Sequence, residues 1–297
     1  MLNNEKKITV VTTSYNSGSH LTRLFKNLID KAKSKDAIRF LVIDNTNGYD
    51  KDLAKLLKAN DAVEIVLNKG YRLQRSISHA NALDIGLKKS QTEYTLIIDP
   101  DVHIFKPEWD RVCVEQFHNG DNVIVGAPYP QWKLGKVHDY PSVIFMFFKT
   151  SEIKFFNKSF YPFPSTYYIL VNSILRKITR LGFLANKARL DRFKFLRLLS
   201  NFLESTIGIS SPDTGNQIIN SLRKNKFKSI NFVSPYSSEL DYNDYYFKLA
   251  KEYELFFYKK EPFLTHMYGS GVMHWKTDKG SNVNYWTSLI EKVEINA

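Results

Sequence analysis

The segment from Tyr94 to Asp101 reads YTLIIDPD, in which five strand-forming residues run into two aspartates separated by a proline. An apolar run of this length without polar alternation predicts a strand buried within a sheet. Pro100 has no N–H for a strand ladder, so we expect the strand to end here and the chain to bend into a loop. Unpartnered buried carboxylates are costly, and a divalent cation with oxygen ligands would satisfy both aspartates. Backbone N–H donors in a strand-end turn are the alternative partners.

The residues around this segment alternate between strand and helix patterns. Strands are predicted at Ile8–Tyr15, Ala37–Asp44, Ala62–Leu67, Tyr94–Ile98 and Val123–Ala127. Helical spacing of apolar residues predicts a helix after the first strand, a short one after the second, and one over Arg75–Lys89. The alternation predicts an α/β fold with a mostly parallel, Rossmann-like sheet flanked by helices.

Polar residues stand at or just after the carboxyl ends of four predicted strands. They are Tyr15, Asp44, Asn68 and the pair Asp99/Asp101. Ligands of open parallel sheets bind beyond the carboxyl ends of the strands, so these positions predict a site at one edge. Lys69, Arg72 and Arg75 precede a predicted helix and could reach a diphosphate near its N-terminus, or could be ordinary surface charges.

The regular alternation ends after Pro128. The segment Tyr167–Leu203 has helical spacing with interleaved Lys and Arg, and Asp213–Arg223 is predicted as a short helix with Asp213 near its N-cap. No low-complexity linker appears. We therefore predict residues 1–128 and 129–297 to be two halves of one continuous domain, the second half helical and rich in aromatic residues.

The net charge of the 297-residue chain is +12, and the basic residues are unevenly distributed. Residues 151–200 contain ten Lys or Arg against two acids, Glu152 and Asp191. Such an excess favours an anionic partner, either nucleotide phosphates, a lipid headgroup or nucleic acid, although a solvated basic face is equally consistent with it.

The cysteine content and the N-terminus bear on the compartment. Cys113 is the single cysteine, so an intramolecular disulfide is impossible, as is typical of a reducing compartment. The polar N-terminal segment lacks a secretory signal, and no stretch has the roughly 18–20 apolar residues of a membrane span. These features predict a cytoplasmic protein, with peripheral contact to the inner face of the cell membrane as an extension.

The phosphate-binding motifs G-x-x-x-x-G-K-[ST] and G-x-G-x-x-G are absent from the sequence. A different ordered series occurs: ITVVTTSYN at 8–16, LVIDN at 41–45, NKG at 68–70, ANA at 80–82 and IIDPD at 97–101. In this order and spacing the series resembles the family 2 inverting glycosyltransferases, which have the A-type nucleotide-sugar fold. The resemblance covers about residues 7–128 and implies that this half binds the nucleotide-sugar donor and residues 129–297 the acceptor.

The resemblance also implies roles for single residues. Thr13, Tyr15 and Asn16 would line the pocket for the nucleobase and ribose, and Asp44 would hydrogen-bond the base or ribose. Thr13 replaces the proline that usually precedes the Tyr-Asn pair, and His79 and Asp84 lie in a helix that is more often apolar there. The nucleobase is therefore left open.

The metal site implied by the resemblance combines both aspartates with a histidine. Asp99 would face the ribose or a metal-bound water, and Asp101 would ligate Mg²⁺ or Mn²⁺. His266 would supply a third ligand to the metal or a phosphate, with His274 as a weaker candidate.

An inverting transfer also needs a carboxylate that deprotonates the acceptor hydroxyl. Asp213, in the segment SPDTGN at 211–216, is the first choice because it opens a predicted helix after a proline-set turn. A plain N-cap aspartate is the alternative for this residue. Asp241 and Asp244 are lesser candidates.

Together these residues predict a metal-dependent glycosyltransferase that moves a sugar from a nucleoside diphosphate to a glycan or lipid-linked acceptor in bacterial surface polysaccharide synthesis. One alternative is a sugar nucleotidyltransferase, which is disfavoured because the loop 16–19 has one glycine and no basic residue. Another is a non-catalytic basic module for an anionic polymer, but no nucleic-acid-binding motif is present, and we predict no nucleic-acid partner.

Overall fold

The computed structural model describes residues 6–59, 62–70, 75–118, 120, 122–163, 165–242, 245–267 and 282–296. The strands are, in chain order, β1 (Ile8–Ser14), β2 (Ile38–Asp44), β3 (Val63–Leu67), β4 (Tyr94–Ile98), β5 (Val102–Ile104), β6 (Val123–Ala127), β7 (Phe145–Lys149), β8 (Lys228–Asn231), β9 (Glu254–Tyr258) and β10 (Glu261–His266). The α-helices are α1 (Gly18–Lys31), α2 (Lys51–Ala59), α3 (Arg75–Lys89), α4 (Trp109–Glu115), α5 (Thr150–Phe155), α6 (Thr166–Thr179), α7 (Lys187–Arg192), α8 (Lys194–Ile207), α9 (Asn216–Lys224), α10 (Tyr245–Glu252) and α11 (Val283–Asn296).

Seven strands form the central sheet in the order β3-β2-β1-β4-β7-β6-β8. Neighbouring strands from β3 to β4 are parallel, as are β6 and β8, while β7 runs antiparallel to β4 and β6. The predicted α/β fold with a mostly parallel sheet is confirmed. The sheet takes strands from both predicted halves of the chain, because β7 and β8 come from beyond residue 128.

Helices cover both faces of this sheet, which explains its continuous apolar strands. On one face the stripe of α1, including Leu21, Leu24 and Leu28, packs in the cluster that contains Phe40 of β2. On the other face Leu83 of α3 packs in a cluster with residues of α5 and α9. With both faces covered, the edge formed by the carboxyl ends of β1 to β4 is where polar groups of these strands can meet a ligand.

A small antiparallel sheet, β5-β10-β9, joins the chain just after the two aspartates to the C-terminal region. In its register His266 pairs with Val102, and Thr265 pairs with His103. The N–H of Met267 also donates to the carbonyl of Asp101 at 2.9 Å. This pairing holds a histidine from β10 beside the loop that follows β4.

The segment Tyr167–Leu203, which has the spacing of a helix, forms three helices, α6, α7 and α8. The chain breaks after α6 at Leu181, Gly182 and Phe183, all with positive φ. Asn186 then begins α7, its side chain accepting a hydrogen bond from the N–H of Arg189 at 3.1 Å.

The short helix predicted over Asp213–Arg223 is present as α9, but it begins three residues later than predicted. Helix α9 begins at Asn216, and its N-cap is Gly215 with a φ of 93°. Asp213 therefore lies in the loop before the helix. Strands β7 to β10 were not predicted, so the second half is less purely helical than its composition indicated.

Within the described part of the chain, no helix combines the length and the apolar character required to cross a membrane.

Candidate functional site

The predicted strand-end residues share one edge of the sheet because β1 to β4 are parallel. Ser14 at the end of β1 is in register with Asp44 at the end of β2, and Asp44 is in register with Leu67 at the end of β3. Tyr15, Asn68 and Asp99 each follow directly on their strands.

Asp44 is buried, and its carboxylate stabilises the turn after β2. One oxygen accepts from the N–H and the hydroxyl of Thr46 at 2.8 and 2.6 Å, and the other accepts from the N–H of Gly48 at 2.8 Å. The hydrogen bond between Asp44 and a base or ribose stays a prediction. A ligand bound there would share the Asp44 carboxylate with three donors from the turn.

The other residues expected to line the donor pocket lie at the same edge of the sheet. Thr13 is half-buried, Tyr15 and Asn16 are exposed, and Asn16 has a left-handed φ of 57°. Asn68 donates to the side chain of Asn45 at 2.6 Å and to that of Asn81 at 3.3 Å. These two contacts hold its amide at the edge of the sheet beside α3.

The basic residues expected near the diphosphate can be placed only in part. Lys69 is exposed. Arg75 is the first residue of α3, but its side chain lies outside what the structure describes, as does Arg72 as a whole.

Asp99, Asp101 and His266 form a group that could hold a metal ion, with one ligand atom from each lying within 4.8 Å of the others. Nε2 of His266 faces Oδ1 of Asp101 at 3.3 Å and Oδ2 of Asp99 at 3.6 Å. The second oxygen of Asp101 is buried and has no hydrogen-bond partner among the described residues. Two carboxylates, an imidazole and an unsatisfied buried oxygen are a donor set that suits Mn²⁺ or Mg²⁺.

The other nitrogen of His266 is held by Glu254, the first residue of β9. Nδ1 lies 2.7 Å from Oε2 of this buried glutamate, whose other oxygen lies 2.7 Å from Nζ of Lys133. A metal-binding histidine usually donates its second N–H to a carboxylate in this way, which fixes the ring. The arrangement leaves Nε2 directed at the two aspartates.

Charges within this group depend on one another. Burial alone would lower the pKa of His266, but Asp101 and Glu254 raise it to about 10. Burial alone would raise the pKa of Asp101, but His266 above all, together with His20 and a backbone hydrogen bond, brings the pKa to about 2. Burial raises the pKa of Asp99. The protonated imidazole thus provides the positive charge that a metal cation would provide when bound.

Three further residues near the aspartates were not predicted as site residues. Nε2 of His79 lies 3.6 Å from Oδ1 of Asp99. Burial lowers the pKa of His20, and it lowers the pKa of Arg23 to about 10. The negative charge of Asp101 partly offsets both shifts. His20 and Arg23 lie in the first turns of α1, directly after β1 and at the same edge of the sheet. This position in the sequence could have identified them as candidate site residues.

Asp213 lies beside a lysine from the loop after β6. Nζ of Lys136 donates to Oδ2 of Asp213 at 2.7 Å, and the N–H of Thr214 donates to Oδ1 at 2.9 Å. Burial alone would raise the pKa of Asp213, but Lys136 above all, then Thr214 and Lys133, brings it to about 2. Asp213 is therefore an ionised carboxylate at neutral pH.

Tyr129 connects the metal group with the surroundings of Asp213. Burial raises the pKa of its hydroxyl well above the usual value, and both Asp213 and Asp99 add to this effect. Lys133 likewise acts on both aspartates while its Nζ contacts Glu254. The two carboxylate sites are therefore electrostatically linked.

The lesser candidates can be placed as follows. Asp241 is exposed, whereas Asp244 and His274 lie outside the described residues. Trp132 is buried in a cluster with Leu134, Leu190 and Tyr236.

Comparison with known proteins shows which family the chain is similar to. The sequence model of the family described as glycosyl transferase family 2 matches residues 9–178, more than half of the chain. Curated proteins include no significant match to the sequence.

Solved structures with a similar chain path include a mannosyltransferase, PcManGT from Pyrobaculum calidifontis, in complex with GDP-Man and Mn²⁺. It is 12% identical, the match covers 74% of this chain and 75% of that one, and the TM-score is 0.43. TarS from S. aureus is 18% identical over 50% of this chain and 29% of its own length, with a TM-score of 0.38. A shorter TarS chain, residues 1–349 in complex with UDP-GlcNAc, is 15% identical over 52% of this chain and 48% of its own, with a TM-score of 0.37.

Proposed function

The chain belongs to glycosyl transferase family 2, and from this membership we propose that it is a metal-dependent inverting glycosyltransferase. The donor is a nucleoside diphosphate sugar, and the acceptor is a hydroxyl of a glycan or of a lipid-linked saccharide. The observation that carries the proposal is the group of Asp99, Asp101 and His266 at the carboxyl edge of the sheet.

Asp99, Asp101 and His266 would hold the cation, with Glu254 fixing the imidazole. A bound Mn²⁺ or Mg²⁺ would neutralise negative charge on the diphosphate as it leaves the sugar. The unpartnered buried oxygen of Asp101 supports this role, since a native protein rarely leaves a buried carboxylate oxygen without a donor or a cation.

Asp213 is the base in this proposal. The acceptor oxygen forms a bond to the anomeric carbon, and the bond from that carbon to the diphosphate oxygen breaks, its electron pair leaving with the nucleoside diphosphate. The hydroxyl proton moves to the carboxylate of Asp213, which is ionised at neutral pH. Attack from the face opposite the leaving group inverts the configuration.

Positively charged side chains close to Asp213 favour an acceptor that carries phosphate. Lys133 and Lys136 both act on the pKa of Asp213, and Arg176 of α6 is near enough to lower that of Lys136. Growing surface polysaccharides on lipid carriers are acceptors of this kind. On this basis we propose a role in bacterial surface polysaccharide synthesis.

A donor screen tests the proposal. The protein is incubated with UDP-, GDP- and dTDP-linked sugars, including GDP-mannose and UDP-GlcNAc, with Mn²⁺, with Mg²⁺ or with a chelator. We expect hydrolysis or transfer from at least one donor that falls to background with the chelator. Failure of every nucleoside diphosphate to bind in calorimetry, with either metal present, would contradict the proposal.

A further inference from the structure

Helices α6 and α8, with the segment between them, carry most of the exposed large apolar side chains. Of nineteen such side chains among the described residues, eleven fall in residues 167–202. They are Tyr167, Ile169, Leu170, Ile174, Ile178, Phe183, Leu184, Phe193, Phe195, Leu198 and Phe202. A concentration of this kind on one region of a protein marks a binding surface.

The two helices are amphipathic with the apolar side turned outward. On α6 the stripe Tyr167, Leu170, Ile174 and Ile178 recurs at helical spacing, and Leu170 and Ile174 are each 63% exposed. Polar residues face inward instead, since Asn172 and Thr179 are buried. An ordinary surface helix has the opposite arrangement, with its apolar stripe against the core.

Helix α8 repeats this pattern beside α6, against which it packs. Phe195, Leu198 and Phe202 lie three and four residues apart and are 77%, 70% and 65% exposed, while Ser200 is buried. On both helices, therefore, the apolar stripe is exposed and is not covered by the rest of the chain.

The charges of this region are almost entirely positive. Lys177, Arg189, Arg192 and Lys194 are exposed, and no ion pair of theirs occurs among the described residues. The acids are engaged internally: Asp191 accepts from the N–H of Ser238 at 3.0 Å and from the hydroxyl of Ser237.

Glu204, the other acid of the region, pairs with His138 at 2.9 Å. The exposed face therefore presents apolar side chains and cations without accessible acids. A second copy of the chain is a poor occupant, because a two-fold contact would set the same cations against each other.

We propose that α6, α8 and the segment between them form a surface that docks on an anionic lipid bilayer. Interfacial helices bind with their apolar side chains at the level of the headgroups and acyl chains while flanking Lys and Arg contact anionic headgroups. Residues 165–207 supply both the exposed apolar side chains and the Lys and Arg residues.

This surface is attached to the loops around Asp213. Glu204 of α8 accepts from the N–H of Gly135, and the hydroxyl of Thr179 of α6 lies 3.5 Å from that of Ser210. Docking would thus hold Asp213 near the membrane surface, where a lipid-linked acceptor resides. The acceptor role rests on the proposed function, whereas the docking itself rests on the surface alone.

Vesicle co-sedimentation tests the docking with the full chain. Vesicles of phosphatidylcholine alone are compared with vesicles that contain about one third phosphatidylglycerol, at low and high salt. We expect at least about tenfold stronger binding to the anionic vesicles, reduced by salt. Equal binding to both compositions, or no binding to either, would overturn the proposal.

Matched variants identify the surface. Leu170→Ser/Ile174→Ser/Phe202→Ser should weaken binding about tenfold or more, whereas Phe155→Ser, at another exposed aromatic, should not. Lys177→Glu/Arg192→Glu/Lys194→Glu should remove the preference for anionic vesicles, and Lys26→Glu/Lys35→Glu/Lys224→Glu should not. All six substituted positions of the test variants are exposed, so thermal melting should show an intact fold.

Two further measurements separate the competing outcomes. Analytical ultracentrifugation without lipid tests for a dimer. A dimer that the apolar triple variant abolishes would assign the surface to a second copy of the chain and overturn the proposal. Donor hydrolysis without vesicles should be unchanged in that variant. Vesicle binding by a protein that hydrolyses no nucleotide sugar would leave the docking intact and contradict the proposed function.

Discussion

Nδ1 of His266 lies 2.7 Å from Oε2 of Glu254, while Nε2 of the same ring faces Oδ1 of Asp101 at 3.3 Å. Each nitrogen of the imidazole therefore has a carboxylate beside it. Because Glu254 accepts the Nδ1 proton, the ring is oriented with Nε2 toward the proposed metal position. Glu254 acts on the metal through His266, which makes it a positioning residue.

We predict that Glu254→Gln weakens Mn²⁺ binding about 10- to 100-fold, the range typical of losing such a partner. Glutamine keeps the shape of the side chain but removes the charge that holds the imidazole. Isothermal calorimetry with Mn²⁺ measures the affinity. Glu261→Gln is the matched control, since Glu261 is an exposed glutamate at the start of β10. Unchanged affinity in Glu254→Gln would show that the contact does not orient a metal ligand.

We predict that Asp101→Asn abolishes turnover while changing the Tm of the metal-free protein by only a few degrees. The amide keeps the size of the carboxylate, and Asp99 and Glu254 remain as partners of His266. Mn²⁺ with a nucleoside diphosphate should raise the Tm of the original protein, because ligands that bind the folded state stabilise it, but not that of the variant. A large loss of Tm without metal would instead assign Asp101 a structural role.

The donor half of the site could be predicted because its residues stand next to strong local patterns. The run YTLII defines β4 with the bounds predicted for it, and the parallel pairing of β4 with β1 places Asp99 beside the end of β1. Asp44 shows the limit of this reasoning. Its strand-end position was correct, but the sequence did not indicate that Thr46 and Gly48 would occupy its carboxylate.

Contacts between distant segments account for what could not be predicted. Glu254 and Lys133 carry no local signal, since they meet only after β9 and β10 pair with β5. For α6 the helical period was recognised, but a period identifies a stripe without saying whether protein or solvent covers it. The outward direction of Leu170 and Ile174 required the folded structure.

We predict that Asp213→Asn lowers kcat about 100- to 10,000-fold, the usual contribution of a general base, while the KM for the donor changes little. The amide cannot accept the acceptor's proton, yet the donor side retains its residues. Steady-state kinetics with the donor found in the screen would measure both constants. Asp241→Asn, at an exposed aspartate, is the control. If both variants retain full kcat, Asp213 is not the base.

We predict that Lys136→Gln shifts the acid limb of the kcat/KM pH profile upward. Lys136 is the largest of the influences that lower the pKa of Asp213 to about 2, so its loss raises that pKa toward the usual value. Asp213 must be ionised to act as base, and the protonated fraction at a given low pH would therefore be larger in the variant. An acid limb that does not move would indicate that the titration belongs to another group.

We predict that folding stability declines as pH rises through the pKa of His138. Burial alone would lower this pKa, but Glu204, the carbonyl of Tyr129 and Asp139 raise it above the usual value. The folded protein binds the proton more tightly than the unfolded chain does. The resulting stability is thus fully present below the unfolded pKa of about 6.5 and is lost above the folded one.

The partner of His138 provides the test of this pH dependence. Each unit of raised pKa contributes about 1.4 kcal/mol, which corresponds to about 2 °C of Tm in a chain of 297 residues. Glu204→Gln removes the charge that lies 2.9 Å from Nε2 of His138, so the decline of Tm as pH rises above about 6.5 should flatten. His118→Gln, at an exposed histidine, should leave the decline as it is. If Tm declines with pH as steeply in Glu204→Gln as in the original protein, the ion pair between Glu204 and His138 does not govern this pH dependence.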